Sequence, residues 1–231
     1  RIAFGSCHTQ LRESIFDTIG SFDPDQLVLL GDNIYADTKV GVNFLEATPE
    51  QLSRHYCALN GDPSWQPTWD DHDYGINNGD STYQYKNESM ESFLDFFRIP
   101  SDSPRRDRDG VYHSTVHEIL DEQGRAYQYK IITLDTRYNM LSVVNGASEP
   151  DMLGPRQWAW LTDELTDLEV DFILLGSGVQ VLPSDKLILE SWHYHDPKGR
   201  ERLLSLISLS PCPNIILLSG DVHEAEISQV S

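Results

Sequence analysis

The chain has 231 residues, 39% of them hydrophobic and 23% charged, and 17 lysines and arginines against 37 aspartates and glutamates give a formal charge of −20. That length can bury a sizeable core, and the composition is that of a globular protein. The acidity speaks against a nucleic-acid-binding surface, since the densest basic stretch is only Pro104-Arg105-Arg106-Asp107-Arg108, and no apolar run approaches the roughly 20 residues of a membrane span.

Strand and helix signals alternate, which predicts an α/β layered architecture in one domain over 1–231. The first residue already lies at the start of a strand, so the numbering is expected to begin after a leader or an N-terminal domain. Ile2–Phe4 reads as a strand running into Gly5-Ser6-Cys7, and Leu11–Phe22 has helical spacing at Leu11, Ile15 and Ile19. Leu27–Leu30 is a buried strand that ends in Gly31-Asp32-Asn33-Ile34-Tyr35. An aspartate there can place its two oxygens on two cations, and Tyr35 can return its phenol to one of them. A phenolate ligand points to a hard, high-charge metal such as Fe³⁺. A turn in which Asp32 accepts backbone hydrogen bonds and Tyr35 packs accounts for this segment equally well when it is taken alone. Thr48-Pro49-Glu50-Gln51 then starts a helix, with Thr48 as cap, Pro49 in the first turn and Gln51 completing a capping box.

Pro67–Trp69 runs into Asp70-Asp71-His72-Asp73, followed by Tyr74 and, shortly after, Asn77-Asn78. Three carboxylates around a histidine repel one another unless cations or hydrogen bonds compensate them. Carboxylate and amide oxygens suit hard cations such as Ca²⁺ and Mg²⁺, and flanking Trp69 and Tyr74 speak against a merely solvated acidic turn. Lys86–Phe97 places Met90, Phe93, Leu94 and Phe97 on one helical face and stops before Pro100. Ser101–Gly110 reads as a surface loop, and Val111–His117 with Ala126–Leu134 as an antiparallel hairpin around Asp121-Glu122-Gln123-Gly124. Ile131–Leu134 leads into Asp135-Thr136-Arg137, where Arg137 offers a planar fork matched to phosphate oxygens; a surface salt bridge suits this motif equally well by itself. Gly154-Pro155 opens a helix with Trp158, Trp160, Leu161 and Leu165.

Phe172–Leu175 ends in Gly176-Ser177-Gly178, which lacks the full nucleophile-elbow pattern and reads as a phosphate-facing turn. Trp192-His193-Tyr194-His195 is either part of a pocket wall or ordinary loop packing, and Arg202–Leu209 is a short helix. Ile215–Leu218 leads into Ser219-Gly220-Asp221-Val222-His223, where extended backbone would turn Asp221 and His223 to the same side. With Cys7 these make a mixed sulfur, nitrogen and oxygen set unlike a closed structural zinc centre. A Cys57–Cys212 bridge, suited to an oxidising compartment, would leave Cys7 free as a thiolate ligand. In α/β proteins ligand chemistry gathers where strands end at their carboxyl edge, and six such endings bearing these residues read as a metal-dependent enzyme.

In this order Phe4-Gly5-Ser6-Cys7, Gly31-Asp32-Asn33-Ile34-Tyr35-Ala36-Asp37, Thr68-Trp69-Asp70-Asp71-His72-Asp73-Tyr74-Gly75, Leu134-Asp135-Thr136-Arg137, Leu153-Gly154-Pro155-Arg156-Gln157-Trp158-Ala159-Trp160-Leu161 and Leu218-Ser219-Gly220-Asp221-Val222-His223 resemble the PhoD-like alkaline phosphatases of the calcineurin-like metallophosphoesterase superfamily. The resemblance implies a metallophosphatase-type sandwich of mixed β-sheets flanked by helices, hydrolysing small phosphate monoesters or diesters at an Fe³⁺–Ca²⁺ centre. By motif, Cys7, Tyr35 and His223 would hold the iron, Asp32 would bridge the ions, and Asp71 and Asp221 would hold calcium. Asn77 would reach the calcium, and Asn78 and Arg137 the substrate. His72 takes the place of the histidine in the superfamily's Gly-Asn-His-Glu motif, stabilising the transition state or protonating the leaving group. An extracytoplasmic or secreted location is favoured by the same resemblance. Gly5-Ser6-Cys7 stands where the wider superfamily has Asp-x-His, as in the PhoD-like branch. The chain ends eight residues after His223, where relatives continue with further strands, so the sandwich can lack C-terminal strands. A phospholipase D-like or nucleotide phosphodiesterase, and a catalytically silent calcium- or partner-binding relative, are the alternative readings.

Overall fold

The computed structural model describes residues 1–8, 14–40, 43–59, 65–166, 170–183 and 190–228. In chain order the elements are β1 (Ile2–Gly5), α1 (Ser14–Ser21), β2 (Gln26–Leu30), β3 (Thr38–Val40), β4 (Asn43–Leu45), α2 (Pro49–Leu59), β5 (Gln66–Thr68), α3 (Asp71–Tyr74) and α4 (Lys86–Phe96). There follow β6 (His113–Leu120), β7 (Ala126–Thr133), α5 (Gly154–Thr166), β8 (Phe172–Ser177), α6 (Trp192–His195), α7 (Pro197–Leu209) and β9 (Ile215–Ser219).

Two sheets carry the architecture. One runs β1-β2-β5, all parallel; the other runs β6-β7-β8-β9, in which only the β6–β7 pair is antiparallel. Side chains alternate across a strand, so each sheet has two faces to cover. Val28 and Leu30 of the first sheet meet Tyr129, Ile131, Leu174 and Leu218 of the second in one buried cluster. Leu27 and Leu29 point the other way, into a cluster with Leu52, Tyr56, Phe93 and Leu94 from α2 and α4. Ile132, Ile173 and Leu175 likewise pack on Trp158, Leu161, Leu165 and Leu203 from α5 and α7. The result is a four-layer helix–sheet–sheet–helix sandwich, the layered α/β arrangement expected.

Several local expectations are met by the contacts that motivated them. Thr48 Oγ1 accepts from the Gln51 N–H at 3.3 Å while Gln51 Oε1 accepts from the Thr48 N–H at 2.7 Å, the reciprocal capping box. Met90, Phe93 and Leu94 are buried on the inner face of α4, and Phe97 packs at its end. The antiparallel hairpin forms, its first strand running on to Leu120. Leu11, at the start of the helix expected over Leu11–Phe22, lies outside the described residues; α1 covers Ser14–Ser21.

Other expectations are corrected. The loop after α4 contains a 3-10 turn, Pro104–Asp107, capped by Ser103. Helix α7 begins at Pro197 rather than Arg202, because Asp196 Oδ1 caps the Gly199 N–H at 2.8 Å. The β3–β4 hairpin was not anticipated; its three-residue strands are too short to carry a period. Cys212 is a buried free thiol donating to the Asn214 carbonyl, and the side chain of Cys57, its expected partner, lies outside the described residues.

Candidate metal centre

All six parallel-running strands named from sequence bring their carboxyl ends to one region, and the loops after them adopt backbone that ordinary residues avoid. Among the described residues, five of the seven non-glycine positions with positive φ are Cys7 (60°), Asp32 (51°), Asn78 (58°), Asp221 (75°) and His223 (55°). Such conformations are held only where surrounding structure over-determines them, and they cluster at functional sites. Asp221 and His223 are therefore not on extended backbone: β9 ends at Ser219, and a left-handed turn, not strand alternation, aims both residues at the centre.

Asp73 organises the core of the site. Its Oδ1 accepts from the Asp70 and Asp32 N–H groups at 2.6 and 3.2 Å, and its Oδ2 from the Asn33 N–H and Nδ2 at 3.2 and 2.5 Å. One carboxylate thus ties the turn after β2 to the start of α3. The tie brings the two loops so close that a Cβ at Gly31 (φ 97°) would lie 2.5 Å from the Asp70 Cβ, which is why glycine stands there.

Asp32 is then shared by two groups of ligand atoms, each group with all its members no more than 4.8 Å apart. The first holds Cys7 Sγ, Asp32 and His223. Tyr35 joins it, its hydroxyl 3.3 Å from Asp32 Oδ2 and 3.1 Å from His223 Nε2. The second holds Asp32, Asp70, Asp71 and Asp221. A further grouping of Asp32, Asp71 and His72 overlaps both. The expected ligands Cys7, Asp32, Tyr35, Asp71, Asp221 and His223 are thus brought together. Asn77 and Asn78 reach the site through their backbone, donating to Asp37 Oδ2 at 3.0 Å and Asp71 Oδ2 at 2.6 Å.

The electrostatics favour a cation. Asp32, Asp70, Asp71 and Asp73 are all at most 2% exposed. Burial and the neighbouring carboxylates push Asp32 well above the usual range, and burial moves Asp70 to about 6 and Asp73 and Asp221 to about 8. Asp71 is the exception: burial pushes it up, but Arg137, His72 and the Asn78 N–H outweigh that and hold it low. Burial, then the Asp32 charge, raises the Tyr35 phenol, and burial raises the Cys7 thiol. Asp70 Oδ2 and Asp71 Oδ1 are buried without a hydrogen-bond partner. Orphaned carboxylate oxygens facing a crowd of like charge are what a bound cation satisfies, and its charge would reverse these shifts. The donor set fits two different ions: thiol, imidazole and phenol on one side, carboxylates alone on the other.

Arg137 is fully buried, so it forms no surface salt bridge. Its Nε donates to Asp70 Oδ1 at 2.6 Å and its Nη2 to Glu190 Oε2 at 3.2 Å, while Nη1 has no partner. Ser177 is turned inward, donating to the Val179 carbonyl and accepting from Trp192 Nε1, so it does not face a phosphate. Trp192 and His195 are core residues rather than an open pocket wall, though His195 Nε2 lies 3.1 Å from Glu190 Oε2 and so backs the Arg137 pair.

Two neighbours of these groups carry no clear mark in the sequence. Asp37, quoted only as the end of a motif, lies 2.7 Å from His72 Nδ1 and also accepts from Asn77. Burial lowers the His72 pKa, but the Asp37 hydrogen bond, with Asp71 and Asp70, raises it on balance. Glu190 carried no sequence signal at all.

A family model described as PhoD-like phosphatase matches residues 47–231. The fold is similar to the solved structure of PhoD with a TM-score of 0.64 at 18% identity, covering 96% of this chain and 51% of that one. It is also similar to GAP50, described as the anchor in the inner membrane complex of Plasmodium, with a TM-score of 0.52 at 11% identity over 93% of this chain and 64% of that one. The chain therefore spans about half the length of the first and less than two thirds of the second. No curated protein matches the sequence. The family match begins after Cys7, Asp32 and Tyr35, so the grouping of those three with His223 rests on the geometry above.

Proposed function

The chain belongs to the PhoD-like phosphatase family, and from that premise we propose that this centre hydrolyses phosphate esters with two unlike cations, Fe³⁺ and Ca²⁺. The observation that carries the reading is the shared Asp32 carboxylate, flanked by a mixed-ligand group on one side and a carboxylate group on the other. Cys7, Tyr35 and His223 would hold the iron and Asp71 and Asp221 the calcium, with Asp70 a further oxygen within reach; Asn77, held by its backbone N–H on Asp37, would turn its amide to the calcium. Bound there, the ions would supply Lewis-acid polarisation of phosphoryl oxygens and an acidified water.

The protein's own groups divide the remaining work. Asp37 accepts the Nδ1 proton of His72 and stabilises the imidazolium, so His72 would carry a second proton at Nε2 for the leaving oxygen. Asp70 and Glu190 fix the Arg137 guanidinium on two of its three nitrogens, and the unpartnered Nη1 is the donor left for a phosphate oxygen. Asn78, its N–H anchored on Asp71, would orient the substrate alongside. Desolvated charges act strongly on charge developing in the transition state, and these are already held in place.

Turnover of p-nitrophenyl phosphate and of its bis-ester, with and without chelator, tests the reading and decides between monoester and diester preference. Chelation should abolish turnover of the preferred ester. His72→Ala should lower kcat by about 10²–10⁴, with a smaller loss for esters of good leaving groups. Equal losses across leaving groups would remove the acid role from His72. The GAP50 likeness gives a second reading, a fold used as an anchor, because one fold hosts many functions. No turnover of either ester by metal-loaded protein would favour it.

A further inference from the structure

Under α1 lies a cavity that the cation centre does not use, and we propose that it binds a compact apolar molecule carrying a single hydroxyl or N–H donor. The space is about 320 Å³, walled by Ile15, Phe16 and Ile19 from the helix and by Leu27 and Leu29 from the sheet. It extends to the end of β1, where a Cβ added at Gly5 would meet nothing within 4 Å. An apolar cavity of roughly 150 Å³ holds a benzene, so this one has room for two fused rings. Ser6, Cys7, His8 and Asn33 complete the lining at the strand ends, so the cavity is apolar along the helix and the sheet and polar at one end.

An unpartnered acceptor at the polar end sets the donor requirement. Asn33 also lines the cavity and is 2% exposed. Its Nδ2 donates to the Thr68 carbonyl at 2.8 Å and to Asp73 Oδ2 at 2.5 Å, which fixes the orientation of the amide. Its Oδ1 is then a buried acceptor with no partner. A hydroxyl or N–H on an otherwise apolar ligand satisfies that oxygen, whereas a pure hydrocarbon leaves it unmet. Cys7 lines the same cavity, so an occupant would lie against the back of the mixed-ligand group.

Binding of 2-naphthol to the full chain, followed by its fluorescence and by calorimetry, tests this without any reference to phosphatase activity. One molecule should bind per chain. 2-Methoxynaphthalene keeps the rings but has no donor, and should bind about five- to tenfold more weakly. Ile19→Phe fills the cavity from the helix and Leu27→Phe from the sheet; either, if folded by circular dichroism, should weaken 2-naphthol binding at least about tenfold. The ligand comparison needs no variant, so it stands even if both substitutions fail to fold. Absence of 2-naphthol binding, equal binding of the two naphthalenes, or unchanged binding to a folded cavity-filled variant would each overturn the proposal.

Discussion

The two halves of the cation centre are built on opposite physical terms. The mixed half, Cys7, Tyr35 and His223, lies at the rim, with Cys7 and Tyr35 half-buried and His223 exposed. In the carboxylate half Asp70, Asp71 and the shared Asp32 form a floor at most 2% exposed, in which Arg137 is the buried counter-charge, and Asp221 joins them half-buried from above. The rim groups are less deeply buried than the floor, so the fold depends less on them. The floor is made of groups whose charge the fold must compensate to exist. Substitution should therefore separate metal loss from unfolding: rim changes empty a site, and floor changes collapse it.

The largest effect is expected at the floor. Removing one partner of a buried ion pair leaves an uncompensated charge, so Arg137→Leu should lower the unfolding free energy by about 3–5 kcal/mol in urea titrations. A loss below about 1 kcal/mol would mean that the carboxylates are already neutral and that the floor is not electrostatically strained. Cation removal comes next. A cation that binds only the folded state at a hundred times its dissociation constant adds about 2.7 kcal/mol, so chelation should lower stability by a similar amount. Calcium should restore most of it if the floor is its site; restoration by a soft ion alone would assign the stabilising role to the rim.

Away from the centre, His113 offers a reference for how much buried polarity costs when no cation is involved. Burial, with Arg105 and Arg108 adding repulsion, holds its pKa well below 6.5, and neutral His113 bridges Gln66 Oε1 at 3.1 Å and the Thr133 hydroxyl at 2.7 Å. Its folded pKa lies below the unfolded one, so the unfolded chain takes up the proton first as pH falls. Stability is then full above about 6.5 and declines below it, by about 1.4 kcal/mol near pH 5.5. His113→Gln should flatten this part of the profile, and a slope unchanged by the substitution would assign it elsewhere.

The smallest stability change is expected at the rim. Cys7→Ser should shift the unfolding free energy by less than about 1 kcal/mol. Elemental analysis should nevertheless show iron content falling at least about tenfold with calcium retained. Parallel loss of both metals would break the division into halves.

The six strand endings were readable because each is a local event: a short apolar run and then a chemistry-bearing residue, with a glycine or serine between them at four of the six. The capping box at Thr48 and the apolar face of α4 were readable for the same reason, since their partners lie within one or two helical turns. The separate duties of Asp70, Asp71 and Asp73 were not. Within one short turn the first pairs with Arg137, the second joins the carboxylate group, and the third accepts four N–H bonds from two loops. Which carboxylate does which depends on partners some 40 to 67 positions away. Asp37 was passed over likewise, because its imidazole lies 35 residues along the chain.

The sequence by itself determined the α/β alternation, the strand ends that carry chemistry and the family resemblance, because periodicity and motif are local and survive without a fold. Only the tertiary structure decided that Asp32 is shared between two ligand groups, that Arg137 is buried between Asp70 and Glu190, and that left-handed turns rather than strand alternation aim Asp221 and His223. It also decided that Cys212 stays a free thiol. Each of these depends on which distant groups share a small, water-poor volume, where desolvation makes every pairing consequential; no local spacing along a chain encodes that.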